Sequence, residues 1–410
     1  MIIKNGIESI SNSAFEGCKH LRRIDIPKSV TEIGERAFSC CTSLLSIVIP
    51  NSLTSIRKSA FSGCTSLESV DIPNSVKEIG DSTFYGCTFL ESIDIPNGVK
   101  TIGKAAFSDC YNLTNIDIPN SVDVIGEGAF SGCSSLESIT ISSSVTEIRK
   151  DTFADCHSLE KIILSNGIKK ICGRVFLNCE SLKEIIMPDS LAEIGENAFY
   201  SCTSLKKINI PNSVTKIGVC AFEGCVSLET IVIPQSVEEI CRGAFLGCSG
   251  LTCIEIPNNV MSISWRAFAG CTSLKNIVLP DSITSVGESA FADCTSLKSI
   301  SLPNSIISVG EGAFSGCASL KNIDIPSEVI SIGCYAFLKC TSLEKIVIPN
   351  NIKEIHKSTF NDCQSLKTIF IPDGLTEIGE NAFSGCSSLK EITIPNSVTE
   401  LGKNAFANCI

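Results

Sequence analysis

Phenylalanine recurs every 23 residues, from Phe15, Phe38 and Phe61 to Phe383 and Phe406, eighteen times without a slip. A strict period of this length belongs to architectures in which one unit cannot bury its apolar face alone and has to stack on its neighbours. A length of 410 residues would otherwise suggest several ordinary domains, but no linker, low-complexity stretch or shift in composition divides the chain. The period therefore predicts one array over residues 1–410, about 18 repeats long, without recognisable caps.

Other columns keep the same register. With Phe at zero, Cys stands at +3 in all eighteen units and Leu at +6 in all seventeen that reach it. Ile or Val follows at +9, an aliphatic residue or Met at +11, Pro at +12, branched or leucyl side chains at +15 and +18, and often Gly at +19. All 15 prolines lie in the one Pro column, interrupted only by Ser142 and Ser165. Counting backwards, Met1 and Ile3 fall in the columns of Ile24 and Ile26, and the chain stops inside a repeat at Ile410. Either it is an internal fragment of a longer protein or it is a complete chain whose apolar ends are left open; the usual need for polar terminal repeats favours the fragment or a missing export segment.

The columns predict local structure. In L-x-x-I-x-I-P the +9 and +11 side chains share one side and +8 and +10 the other, which makes a short strand with one buried face. Pro has no amide hydrogen and ends it. The S-V-x-x-I-G segment predicts a shorter strand on the opposite wall, and the small +19 residue, Gly in eleven of seventeen cases, suits a turn after it. The +2 column, rich in Gly, Asp and Asn, predicts a left-handed residue that closes a single turn of 3₁₀ or α helix over E-x-A-F.

The pattern C-x-S-L-x-x-I-x-I-P-x-S-V-x-x-I-G-x-x-A-F, running through the whole chain, resembles the 23-residue leucine-rich repeat of the BspA-like family. The Pro directly after the strand, the V-x-x-I-G segment and the A-F-x-G-C turn carry the resemblance together. It implies a β-dominated α/β repeat solenoid: a curved, right-handed leucine-rich repeat with a parallel sheet on its concave face. Short second strands and single helical turns would complete each coil. It also implies a cell-surface or secreted protein of the kind that bacteria and parasitic protists use to adhere to host matrix proteins or to other cells. The stretch Met1–Ser11 shows no apolar core or cleavage site of a secretory signal, so a cytoplasmic location stays open beside the surface one.

Chemistry finds little purchase. Eighteen of the 24 cysteines form the +3 ladder, which reads as small buried thiols whose weak S–H donors serve the backbone. The other six are Cys40, Cys172, Cys220, Cys241, Cys253 and Cys334; Cys172 and Cys241 share a column but stand three coils apart, about 14 Å by strand spacing, too far for a bridge. Cys253, on an outward strand position, is the candidate reactive thiol. The three histidines, His20, His157 and His356, occupy three distant coils and three columns and cannot converge, and no C-x-x-C pair occurs. No enzyme, metal or cofactor is expected. With a net charge of −11 and bases spread along the chain, neither nucleic acid nor an anionic membrane surface is an expected partner. No apolar run reaches the length of a membrane-spanning helix.

Recognition then falls to the outward strand columns. In column +10, Asp71, Asp94 and Asp117 stack like charges, which is unfavourable unless a cation or a basic partner offsets it. The same column exposes Ile163 beside Ile186 and Val347 beside Phe370. Column +7 is mainly glutamate in the first half of the chain and mainly lysine in the second. These seven residues of column +10 are the candidate ligand-binding set on the concave face. The expected function is a non-enzymatic scaffold of adhesin type that binds a host or neighbouring-cell protein, such as a matrix protein. The alternative is a self-assembly module that forms homo-oligomers through open ends or side by side. A carbohydrate-binding solenoid ranks third, because Phe370 is the only aromatic residue in column +10 and Trp265 lies outside the strands.

Overall fold

Three residues per repeat are extended, and their side chains alternate out, in and out. Ser69–Asp71 exposes Ser69 and Asp71 and buries Val70, and this pattern recurs in nearly every coil. Within each sheet a strand pairs in parallel with its equivalent 23 residues on, as in Ile47↔Val70, so the buried column of one coil lies directly on that of the next. The computed structural model describes residues 2–409; Met1 and Ile410, placed by the repeat at the two ends of the array, lie outside the described residues.

The chain divides into two units, Met1–Leu205 and Lys206–Ile410, and each is a parallel β-solenoid. In the first unit the strands of this wall, three or four residues long, form one sheet over Arg23–Asp25, Ser46–Val48 and Ser69–Asp71, and another over Ser138–Ile141, Lys161–Leu164 and Glu184–Ile186. Between these sheets the pairing on this face is reduced, among the described residues, to the single bridges Asp71↔Asp94 and Ser92↔Asn115, while the other wall stays paired. The second unit carries an unbroken eight-stranded sheet from Lys207–Asn209 to Thr368–Phe370. Two-residue strands such as Glu78–Ile79 pair in parallel on the other wall of both units. Pro ends the strand as expected, and its carbonyl closes a turn with the amide three residues on, as in Val76 N–H to Pro73 at 3.0 Å.

The predicted helical turn is replaced by something tighter, and no described residue is helical. Around each Phe the backbone makes successive β-turns in which every second amide bonds three residues back within its coil. Ala60 donates to Arg57, Ser62 to Ser59 and Cys64 to Phe61 at 3.1–3.2 Å. The alternate amides turn to the next coil: Ser59 donates to Asp81, Phe61 to Thr83 and Gly63 to Tyr85 at 2.7–2.9 Å. This alternation needs positive φ at two columns. The expected +2 residues adopt it throughout, and so do all eighteen residues at −2, among them Arg36 (φ 57), Cys220 (φ 52) and Tyr335 (φ 59). The +19 glycines differ again, because none of those described has positive φ. They are required by close approach: a Cβ on Gly126 would lie 2.4 Å from the backbone of Gly103 in the preceding coil.

The interior is a stack of rings. Phe38, Phe61, Phe84, Phe107 and Phe130 lie at centroid separations of 5.4–5.6 Å, nearly parallel and fully buried. Rings spaced wider than the ~4.8 Å strand separation are offset, the arrangement their quadrupoles favour. Ladder cysteines from the second coil on place Sγ against the Phe carbonyl of the coil before, from Cys41 to Cys202 and from Cys248 to Cys409, as in Cys133 to Phe107 at 3.2 Å. Replacing Phe107 with Ala removes one ring and its contacts with Phe84 and Phe130. The variant should lose about 3–5 kcal/mol by urea denaturation, and a loss below 1 kcal/mol would show that the stack is not what holds these coils.

Candidate ligand-binding face

Outward side chains of the three-residue strands form vertical columns because the register from coil to coil is constant. In the first unit Asp71, Asp94 and Asp117 are all exposed in column +10, and Asp71 bridges Asp94 directly. The regular sheet is interrupted over the coils that carry this stack. Carboxylates placed opposite one another repel, and the ladder there is reduced to single bridges. Ile163 pairs with Ile186 in the following sheet; Ile186 is 44% exposed and Ile163 is half-buried. Val347 pairs with Phe370 in the second unit, and the Phe370 ring is 58% exposed.

The predicted residues therefore form separate patches. Phe370 lines a depression of about 630 Å³ with Thr368, Lys367, Lys390 and Thr393. A further depression of about 460 Å³ lies on the eight-stranded sheet, where Thr230–Val232, Cys253–Glu255 and Asn276–Val278 run side by side. Val232 and Val278 are the most exposed valines of the column, at 73% and 71%, with Glu255 between them in register. Both valines stand in the same column that yielded the other candidates, yet nothing in the column alone sets them apart. Cys253 lies in this depression and is exposed, as its outward position predicts.

Column +7 borders this face. Lys183 pairs with Glu160 at 2.6 Å and Lys367 with Glu344 at 2.8 Å, each across one coil step. Lys367 is the principal cause that holds the Glu344 carboxyl below its ordinary range.

On the turn wall of the second unit, Trp265 lies 5.4 Å from the guanidinium groups of both Arg242 and Arg266 and donates from Nε1 to Glu288 at 3.1 Å. Its ring is engaged by cations within the chain. The histidines stay apart: His157 contacts the Asn178 carbonyl at 3.1 Å and His356 lies 3.4 Å from Glu354. Among the described residues no group of three or more His, Cys, Asp or Glu side chains could hold a metal.

The cysteines split by environment. Burial pushes the Cys87 and Cys340 thiols up to about 12, against partial relief from their backbone hydrogen bonds. All 24 are free, and Cys18, Cys40 and Cys253 are exposed.

The family described as BspA type leucine rich repeat region matches residues 1–113, 100–229, 169–298 and 284–410. Among solved structures, a leucine-rich repeat protein from Bacteroides ovatus is 36% identical, with 84% of this chain and 83% of that one covered and a TM-score of 0.68. One from Eubacterium ventriosum is 25% identical over 79% and 84%, with a TM-score of 0.50. A leucine rich cell surface protein from Faecalibacterium prausnitzii is 30% identical over 85% and 87%, with a TM-score of 0.45. No curated protein matches the chain.

Under native conditions a thiol reagent should label Cys40, Cys253 and the exposed first ladder cysteine, Cys18, quickly and leave the buried ladder thiols silent, as read by peptide mass mapping. The sign for pH follows from the raised pKa values. Thiols that keep their protons in the fold but lose them unfolded, at about 8.5, stabilise the fold below that pH. Their contribution declines as pH rises toward about 12. Urea midpoints should fall steadily above pH 9, and a flat profile from pH 8 to 11 would remove the ladder thiols from the stability of the coil.

Proposed function

Because the chain belongs to the BspA-type leucine-rich repeat family, we propose that it is a non-enzymatic protein-binding scaffold, of adhesin type, that engages a protein of a host matrix or a neighbouring cell. The site is the outward strand face, on which two kinds of patch serve two kinds of contact. In the second unit Val232, Val278, Val347 and Phe370 offer apolar anchors, and in the first Asp71, Asp94 and Asp117 offer a carboxylate row to a basic surface. Ile163 and Ile186 add a small apolar step. Residues 1–410 act as one array in this reading, at the cell surface or outside it.

The observation that carries the reading is the exposure of Val232 and Val278, at 73% and 71%, on either side of a depression in an otherwise regular sheet. Large apolar side chains held in water on a rigid face are anchors when a partner covers them, and the framework under them needs no reordering on binding. The rigidity has a visible source, since Ile231, Ile254 and Ile277 beneath are almost fully buried and paired in register.

Surface plasmon resonance against immobilised extracellular-matrix proteins tests this proposal. A variant with Val232→Ser and Val278→Ser should bind its partner about tenfold or more weakly, the cost of about 1.4 kcal/mol or more expected for central anchors. Replacing Asp71, Asp94 and Asp117 with Ser should weaken binding chiefly through the association rate and its salt dependence. Unchanged binding in both variants would exclude the strand face as the site.

A further inference from the structure

The strand faces of the two units carry opposite charge ladders that lack partners of their own. In the first unit Glu68 and Glu91 in column +7 join Asp71, Asp94 and Asp117 in column +10, and all five are exposed. The +8 residues between them, Ser69, Ser92 and Asn115, are uncharged. None of the five carboxylates makes an ion pair among the described residues.

In the second unit Lys275, Lys298 and Lys321 follow one another in column +7, all exposed. The Lys298 amide donates to the Lys275 carbonyl and the Lys321 amide to the Lys298 carbonyl, each at 3.2 Å, so the three stand on successive coils. At two other places the column relieves a lysine with a glutamate one step away, Lys183 with Glu160 and Lys367 with Glu344. Glu344 is next to Lys321 in the column, but its carboxylate is hydrogen-bonded to Lys367 and Lys321 acts on it only as a weaker, unbonded charge. Among the +8 and +10 positions of the three lysine coils only Asp324 is acidic.

Like charges at strand spacing repel on both ladders, and each repulsion is relieved by a partner whose opposite charges rise at the same interval, about 4.8 Å per step. A helix or a flexible polyanion does not keep that interval over three steps. Another coil stack of this period does, and the chain's own acidic ladder has both the interval and the sign. We propose that the acidic ladder of one copy docks on the Lys275–Lys298–Lys321 ladder of a second copy, strand face to strand face. The inference rests on the strand-face reading above and names the partner of its acidic patch. The contact joins two unlike surfaces, so it can link copies in succession.

Sedimentation velocity at low ionic strength should show the whole chain as dimers or longer species that grow with concentration. In about 1 M salt, where charges are screened beyond about 3 Å, it should revert to monomer. A variant with Asp71→Ser, Asp94→Ser and Asp117→Ser and another with Lys275→Ser, Lys298→Ser and Lys321→Ser should each be monomeric and retain the wild-type circular dichroism. Mixed in equal amounts they should associate again, because each keeps the ladder the other lacks. A monomeric wild type at low salt, association of either variant alone, or a mixture that stays monomeric would overturn the proposal. A Val232→Ser variant, two coils before Lys275 and outside the lysine coils, separates the two readings, since it should weaken matrix-protein binding and keep self-association. Unchanged matrix-protein binding in this variant would overturn the apolar-anchor reading alone, and a monomeric wild type at low salt would overturn the ladder contact alone.

Discussion

Each interior phenylalanine carbonyl accepts two hydrogen bonds, and the coil stack is built around that sharing. The Phe38 oxygen takes the Cys41 amide of its own coil at 3.2 Å and the Cys64 thiol of the next at 3.1 Å, while the Phe38 amide donates to Ala60 at 2.8 Å. One residue thereby closes its own turn, ties to the following coil through backbone and side chain, and fills the interior with its ring. A buried carbonyl has two lone pairs to satisfy, and the cysteine is small enough to reach the second without displacing the ring stack. This accounts for Phe and Cys being invariant in their columns. It also makes the ladder cysteines structural, because a thiol that donates in a dry interior holds its proton and has little nucleophilic character.

The same bonding decides how much of the fold could be read beforehand. The strands, the proline stop, the buried columns and the left-handed +2 residue were legible, since each is a local preference expressed at a fixed spacing. The second left-handed column was not. Arg36, Ala105, Tyr335 and Cys220 have no intrinsic preference for positive φ, and the conformation costs each of them on the order of 1 kcal/mol or more. It persists because the amides at −2, 0 and +2 must all face the next coil, and the bonds that result offset the cost. The single helical turn was a reasonable reading of E-x-A-F in isolation. A helix directs its amides along its own axis, whereas this wall needs every second amide to point to a neighbour.

The candidate face was legible in direction and not in relief. Position in the repeat sufficed to place Asp71, Asp94, Asp117, Ile186, Val347 and Phe370 in outward positions, with Ile163 only half-buried. It could not single out Val232 and Val278, whose prominence depends on the side chains around them. Nor could it show that regular pairing lapses over Asp94 and Asp117, where like charges meet. Column +7 gave signs without pairings. Only the arrangement in space separates Lys183 and Lys367, neutralised by glutamates at 2.6 and 2.8 Å, from the three consecutive lysines of the second unit.

A constant register turns any surface substitution that recurs in neighbouring repeats into a ladder. On an ordinary sheet, whose strands differ, three aspartates would scatter; here they align at the strand interval. The interior columns therefore do more than hold the coils together, for they set the spacing at which every outward charge or apolar group is presented. A partner is selected by sign and shape, and also by whether it can match that interval. Surfaces built on the same repeat meet this condition without further adjustment, and other proteins meet it where they offer an exposed edge, a row of side chains on strands, or an anchor that fits a single depression.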